Sequence, residues 1–206
     1  MTEATTRAPA LRLATSADVP TLSNVLARSF ETCPAWGWYL PPETPNRIGR
    51  MQRFFASLLR GVYLREGREC LVTEDVSGAV LVDPPNGWRM SARENLRLLA
   101  GMIPAFGRHV IRPIRGFNLL DKGHPSDPHF YLSVVGVDPQ AKGRRIPESL
   151  LERVLDRCDA EGMPAYLETG RPKSRDFFVH YGFEVTEELE LPDHGPPVWR
   201  LWRKAD

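Results

Sequence analysis

A single α/β domain, built on a mixed β-sheet with helices on both faces, is the fold class this sequence predicts. Three observations predict it. From Phe130 onward, apolar runs of strand length alternate with stripes of helical period. Between the first such run and the first such stripe lies the basic, glycine-containing turn AKGRRIP, ending at Pro147. Backbone amides in a turn of that kind, at the start of a helix, form a site for an anion. Finally, 206 residues with 42% apolar and 26% charged side chains suit one globular unit with a sizeable core.

The elements follow in chain order. Residues 1–9 read as a loose tail, and a single domain spans 10–206 without internal repeat or boundary. Leu11 to Ala14 is a short strand, and Ser16 caps a helix running to Phe30. Leu22, Val25, Leu26, Ser29 and Phe30 lie along one stripe of that helix. The stretch from Cys33 to Asn46 reads as a loop whose aromatics, Trp36, Trp38 and Tyr39, pack under the core or line a pocket. Arg47 to Tyr63 carries Met51, Phe54, Phe55, Leu58, Leu59 and Val62 at helical spacing. Cys70 to Thr73 and Gly78 to Val82 form a hairpin, and Ser91 caps a third helix ending near Met102. Residues 103–128 mix Pro, Gly, Arg and His and read as a lid, a dimer contact or an irregular crossover of helical turns. Then come a strand from Phe130 to Val137, a helix over 147–161, a strand from Ala165 to Glu168 and a short helix from Ser174 to His180. Phe183 to Leu191 and Val198 to Arg203 close the chain as two antiparallel strands.

Charge and composition narrow the function classes. Lys and Arg number 27 against 26 acids, a net charge of +1, which gives no general support for nucleic-acid binding. Local basic clusters at Arg108 to Arg115 and Lys142 to Arg145 suit a small anionic ligand, or are solvated surface charge. Cys33, Cys70 and Cys158 are scattered and indicate neither a disulfide framework nor a metal site. The five histidines form no HExxH motif, so no metal is implied. No apolar signal segment opens the chain and no run approaches a membrane span, so the cytoplasm is the default location.

Four stretches carry a resemblance: YLSVVGVDP, KGRRIPESLLERVL, GMPAYLET and RDFFVHYGFEV. The closing VWRLWRK and, more weakly, LRLATSADVPTLSNVLARSF follow in matching order. In this sequence and spacing the chain resembles the GNAT superfamily of N-acyltransferases. Its length is similar to that of small-molecule acetyltransferases of the puromycin-resistance type. The resemblance implies acetyl-CoA as co-substrate, bound where the strands Phe130 to Val137 and Ala165 to Glu168 splay apart. It also implies backbone groups of Val135 and Val137 for the pantetheine and acyl carbonyl, with Gly136 permitting irregularity between them. The pyrophosphate loop falls on Lys142, Gly143, Arg144, Arg145, Ile146 and Pro147, with Ser149 nearby. A homodimer through the C-terminal strands is a further implication.

The sequence departs from the pattern at three positions. Arg145 stands where the family has glycine, and its side chain either crowds the pyrophosphate or swings out. Pro147 stands for a small residue; it lacks an N–H donor but suits a first helical turn. Phe178 occupies the place of the tyrosine that protonates the leaving thiolate, with Tyr181 three residues on as a substitute acid. Ser174 occupies the usual Asn position beside the pantetheine.

For the general base, Glu168 at the end of its strand is the first candidate; His129 and Asp127 before the preceding strand are the second. Glu31 is placed to recognise a cationic acceptor, and Trp36, Trp38 and Tyr39 to wall its pocket. His109, His124, His180 and His194 read as surface or packing residues. Two functions stand. One is acetyl transfer from acetyl-CoA to a small-molecule amine by direct attack, with neither nucleic acid nor membrane as partner. The other is a catalytically silent protein of the same fold that binds a different ligand or a protein partner.

Overall fold

The computed structural model describes residues 8–65, 67–141 and 143–206. Among these residues seven strands form one sheet: β1 (Leu11–Leu13), β2 (Glu69–Thr73), β3 (Gly78–Asp83), β4 (Phe130–Val137), β5 (Ala165–Thr169), β6 (Glu184–Glu190) and β7 (Pro197–Arg203). Their order across the sheet is β1-β2-β3-β4-β5-β7-β6. β4 and β5 run parallel, and the other neighbours antiparallel. The sheet is therefore mixed, as the alternation of strand and helix patterns predicts, and it is open.

Among the described residues seven α-helices cover it: α1 (Val19–Ser29), α2 (Pro34–Tyr39), α3 (Arg47–Leu58), α4 (Ala92–Phe106), α5 (Ile111–Lys122), α6 (Ile146–Ala160) and α7 (Pro172–His180). Helices α1 to α5 pack on one face and α6 with α7 on the other. Strand β3 shows why. Its uninterrupted sequence GAVLVD is buried at every position, Ala79 and Leu81 against one helical layer and Val80 and Val82 against the other. On α6, Leu150, Leu151, Val154, Leu155 and Cys158 form the buried stripe that the sequence spacing predicts.

Four local expectations are corrected. The first helix starts differently, because the Thr15 amide donates to the Asp18 carboxylate (2.7 Å), which Arg12 also holds (2.8 Å). A 3-10 turn over Ser16–Asp18 results, and the α-helix begins at Val19. The aromatic loop contains the short helix α2, opened by Pro34 in its first turn and followed by Pro41 and Pro42. Helix α4 keeps the Ser91 cap, with Glu94 reaching back to the Ser91 amide (2.7 Å), but runs past Pro104 to Phe106. Burial of Ala105 and Phe106 holds that last turn despite the proline. The crossover beyond it is the ordered helix α5. The expected tail falls mostly in residues 1–7, outside the described residues.

Two irregularities meet at the centre. After α3 the backbone continues as a π-helical turn over Leu59–Tyr63, in which the Leu64 amide donates to the Leu59 carbonyl (2.9 Å). In β4 the register with β3 steps from Val82↔Leu132 to Leu81↔Val134, leaving Ser133 as a β-bulge. β4 meets β5 only at Phe130↔Ala165 and Tyr131↔Tyr166. Beyond that the two strands part, and the second half of β4 borders a gap.

Candidate active site

The gap opens into a cavity of about 550 Å³. Leu132 to Val135 and Val137 of β4 line one side, and Leu167, Glu168 and Thr169 of β5 the other. One end is walled by Trp36, Tyr39, Phe54, Phe55 and Phe117 of α2, α3 and α5. Trp36 meets Tyr39 edge-on at 5.8 Å and Phe54 at 5.3 Å, so these rings form a rigid aromatic wall that is also core. Pro147 of α6 and Lys173, Ser174, Phe177 and Phe178 of α7 line the other end. Glu168, Ser174, Phe178, Val135 and Val137 thus share one cavity.

The Glu168 carboxylate is buried and accepts hydrogen bonds from the Tyr131 hydroxyl (2.7 Å) and the Tyr166 hydroxyl (2.8 Å). Burial pushes its pKa up; the two hydroxyl donors oppose the shift without cancelling it. Asp121, at the end of α5, borders the same cavity and is also raised by burial. Behind Glu168 lies a histidine pair. The His129 Nδ1 sits 2.6 Å from the Asp127 carbonyl, which can only accept, so Nδ1 carries the proton. His129 Nε2 then accepts from His124 Nε2–H at 3.0 Å. His124 is stacked on Trp88 with ring centroids 3.8 Å apart. Burial first, then the His129 imidazole and Arg200, bring its pKa down to about 3, so it stays neutral. His129 is likewise lowered by burial and does not line the cavity.

The parity of β4 decides which amides face the gap. The Phe130 amide donates toward β5, to the Pro164 carbonyl (2.9 Å), so before the bulge the even residues face that side. After it, the Asp138 amide donates toward β3, to the Ser77 carbonyl (2.8 Å), and the Val137 amide faces the gap side, donating to the Ser29 hydroxyl (3.1 Å). By the same alternation the Val135 amide faces the gap. The irregularity expected at Gly136 resides instead at Ser133. Gly136 serves close packing, since a Cβ there would lie 2.6 Å from Leu26 Cδ2 of α1.

In the basic turn, Gly143 (φ 77°) and Arg145 (φ 49°) are both left-handed, so Arg145 holds a backbone conformation that suits glycine. Its guanidinium swings outward to Glu152 (3.3 Å), and Arg144 pairs with Asp75 (2.6 Å). Ile146 is buried in the core, and the Ser149 amide closes the first helical bond to the Arg145 carbonyl (3.0 Å). Lys142 lies outside the described residues. Arg145→Gly is expected to stabilise the fold by about 0.5–1 kcal/mol, the relief of a left-handed side chain less the chain entropy of glycine. Thermal unfolding checks it; a lower Tm would contradict it.

Other candidates fall elsewhere. Tyr181 caps the C-terminus of α7, packs against Phe177 with the rings tilted (5.0 Å) and does not line the cavity. The helix is not rotated to substitute it for Phe178, because Phe178 is buried against Phe183. Glu31 is exposed and away from the cavity; its carbonyl accepts from Arg47 (2.8 Å). Trp38 packs beside Tyr39 (5.4 Å) without reaching the cavity. Sequence reasoning missed Tyr63, Arg68, Asp83, Tyr131, Ser133 and Tyr166. The one signal it offered was the two-residue spacing of Tyr131 and Ser133. Among the described residues no group of three or more His, Cys, Asp or Glu could hold a metal, and no helix is long and apolar enough to cross a membrane.

This architecture has known counterparts. A solved structure from Corynebacterium glutamicum, described as histone acetyltransferase HPA2 and related acetyltransferase, superposes with a TM-score of 0.69 at 20% identity, covering 97% of both chains. A polyamine N-acetyltransferase of Drosophila melanogaster superposes at 0.61 with 14% identity, over 95% of this chain and 99% of that one. The fold is that of the GCN5-related N-acetyltransferases, the GNAT fold. In sequence, an uncharacterized N-acetyltransferase of Schizosaccharomyces pombe is 29% identical over 146 residues, 66% of this chain. An adenine deaminase of Bordetella avium is 31% identical over 109 residues, 52% of this chain. The chain spans 56% of the first protein's length and 32% of the second's. No protein-family model matches.

Proposed function

We propose that the protein is an N-acetyltransferase that moves an acetyl group from acetyl-CoA to the amine of a small molecule. The observation that carries this reading is one cavity that joins the gap between β4 and β5 to an aromatic chamber holding a buried carboxylate, Glu168. The GNAT fold supports it, as does the name of the Schizosaccharomyces pombe relative.

In this reading the donor lies along β4, its acyl oxygen toward the Val135 amide, its pantetheine past Val137, Ser174 and Phe178. Its pyrophosphate meets the turn of Gly143, Arg144 and Arg145 and the amide of Ile146, with Ser149 behind. The outward Arg145 side chain leaves the turn clear, and Pro147 in the first turn of α6 breaks no helical bond. The neutral amine attacks the thioester carbonyl, a C–N bond forms, and Glu168 takes the amine proton directly or through water. The C–S bond then breaks and CoA leaves as a thiolate. Phe178 has no proton to give, and water protonates the thiolate. Trp36, Tyr39, Phe54 and Phe117 favour an amine with a flat or apolar body, and Glu168 and Asp121 favour its cationic form on approach.

Phe178 in the cavity, with Tyr181 outside it, favours a second reading: a protein of this fold that binds a ligand without turnover. Calorimetry with acetyl-CoA and CoA, followed by CoA release against a panel of amines, separates the two. Micromolar binding with amine-dependent release is the expected result. Absence of binding at millimolar acetyl-CoA sinks the transfer reading, and binding without release for any amine supports the second.

A further inference from the structure

Two irregularities of the fold face each other. Tyr63 is the last residue of the π-helical turn and Ser133 is the bulged residue of β4, and their hydroxyls lie 2.6 Å apart across 70 residues of chain. The Tyr63 hydroxyl donates its proton to Asp83 Oδ2 (2.6 Å), because a carboxylate can only accept. Its lone pairs are then free for the Ser133 hydroxyl. Asp83, the last residue of β3, is buried and ion-paired with Arg68. Arg68 is itself fixed by Glu94 (3.3 Å) and the Arg89 carbonyl (3.4 Å). A buried polar chain therefore runs from the first turn of α4 to the bulge, and Tyr63, Arg68, Asp83 and Ser133 all border the cavity. Burial pushes the Tyr63 hydroxyl up to about 12, so it keeps its proton at neutral pH.

Ser133 matters because one extra residue switches the parity of β4. Ahead of it the even amides face the side of β5; beyond it Val135 and Val137 do. A strand without the extra residue would turn the Val135 amide into the ladder with β3 and point the Val134 amide at the gap. Ordinary strand pairing competes with the bulge, so something must hold it. The backbone ladder does not, since it is interrupted there, whereas the Ser133 hydroxyl donates its one proton to Tyr63.

We propose that Tyr63, anchored by Asp83 and Arg68, is a positioning residue that holds the Ser133 bulge and thereby aims the Val135 amide at the acyl carbonyl of the donor. The inference rests on the acetyl-transfer reading of the cavity. It needs no knowledge of the acceptor, because the amide distinguishes acetyl-CoA from CoA by one hydrogen bond to the carbonyl.

The test is calorimetric titration of wild type, Tyr63→Phe, Ser133→Ala and Ser133→Thr with acetyl-CoA and with CoA. Wild type is expected to prefer acetyl-CoA. Tyr63→Phe and Ser133→Ala are expected to bind CoA as wild type does but to lose about three- to tenfold of that preference, the worth of one hydrogen bond. Ser133→Thr keeps the hydroxyl and should keep the preference, which general loosening of the fold would not produce. Ser133→Ala carries the comparison should Tyr63→Phe fail to fold. A preference unchanged in both variants overturns the positioning role alone. Wild-type protein that binds neither nucleotide overturns the transfer reading, and the positioning role with it.

Discussion

Glu168→Gln is expected to lower the rate of acetyl transfer by about 10²–10⁴-fold, the usual worth of a positioned general base. The substitution is nearly isosteric: one of the Tyr131 and Tyr166 hydroxyls can turn to accept from the new amide nitrogen while the other still donates to its oxygen, so donor binding should survive. Its pH dependence is the sharper test. Burial raises the Glu168 pKa, so the base is lost to protonation at pH values above the ordinary carboxylate range. The wild-type rate should rise with pH through that raised value, and the limb should vanish in Glu168→Gln. Stability moves the opposite way. An acid whose pKa is raised on folding binds more protons folded than unfolded, so its contribution falls as pH climbs from the unfolded value, about 4.3, through the folded one. Glu168→Gln should remove that fall. A variant with the wild-type rate and an intact acid limb would end the claim of Glu168 as base, and attention would pass to Asp121 or to solvent.

Arg200→Met is expected to cost about 3 kcal/mol of stability, the worth of charged hydrogen bonds left unmade in a buried setting. Arg200 projects from β7 and is buried. Its Nη2 donates to the Leu119 and Leu120 carbonyls (3.1 and 3.0 Å) in the last turn of α5, and its Nη1 pairs with Glu187. A cation at that position answers both the unpaired carbonyls and the negative end of the helix. Gly123 makes room for it, since a Cβ there would lie 2.0 Å from Arg200 Nη1. In a chain of this size the loss corresponds to a Tm about 6–12 °C lower. Because α5 carries Phe117, Leu120 and Asp121 on the cavity wall, acceptor KM should rise while acetyl-CoA affinity holds. A Tm within 2 °C of wild type, or equal losses for both substrates, would contradict this account.

How much was legible follows from how local each cause is. The run GAVLVD and the stripes of α3 and α6 are short-range patterns, and each produced its element, although the stripe expected to run as one helix to Tyr63 leaves the α-helix at Leu58 for the π-helical turn. Helix α2 was hidden because six residues make fewer than two turns and show no period. Helix α5 was hidden because Pro113 and Gly116 break its pattern, and both are buried for reasons of packing. At the site, Glu168 could be singled out as a carboxylate closing a strand. Its hydroxyl partner Tyr131 lies 37 residues away, and nothing in the sequence pairs them. Arg145 and Phe178 were visible as departures. That Arg145 keeps a left-handed backbone with its side chain turned out, and that Tyr181 does not take the place of Phe178, depends on how α6 and α7 sit on the sheet.

By itself, then, the sequence determined the strands, the helices α1, α3, α4, α6 and α7, and their order along the chain. These depend on side-chain period and turn chemistry within a dozen residues. The tertiary structure alone decided the bulge at Ser133, the parting of β4 from β5 and the convergence of Tyr63, Asp83 and Arg68 on that bulge. Register is a relation between two strands and a hydrogen-bond network a relation among distant segments; neither is a property of any stretch of chain taken singly.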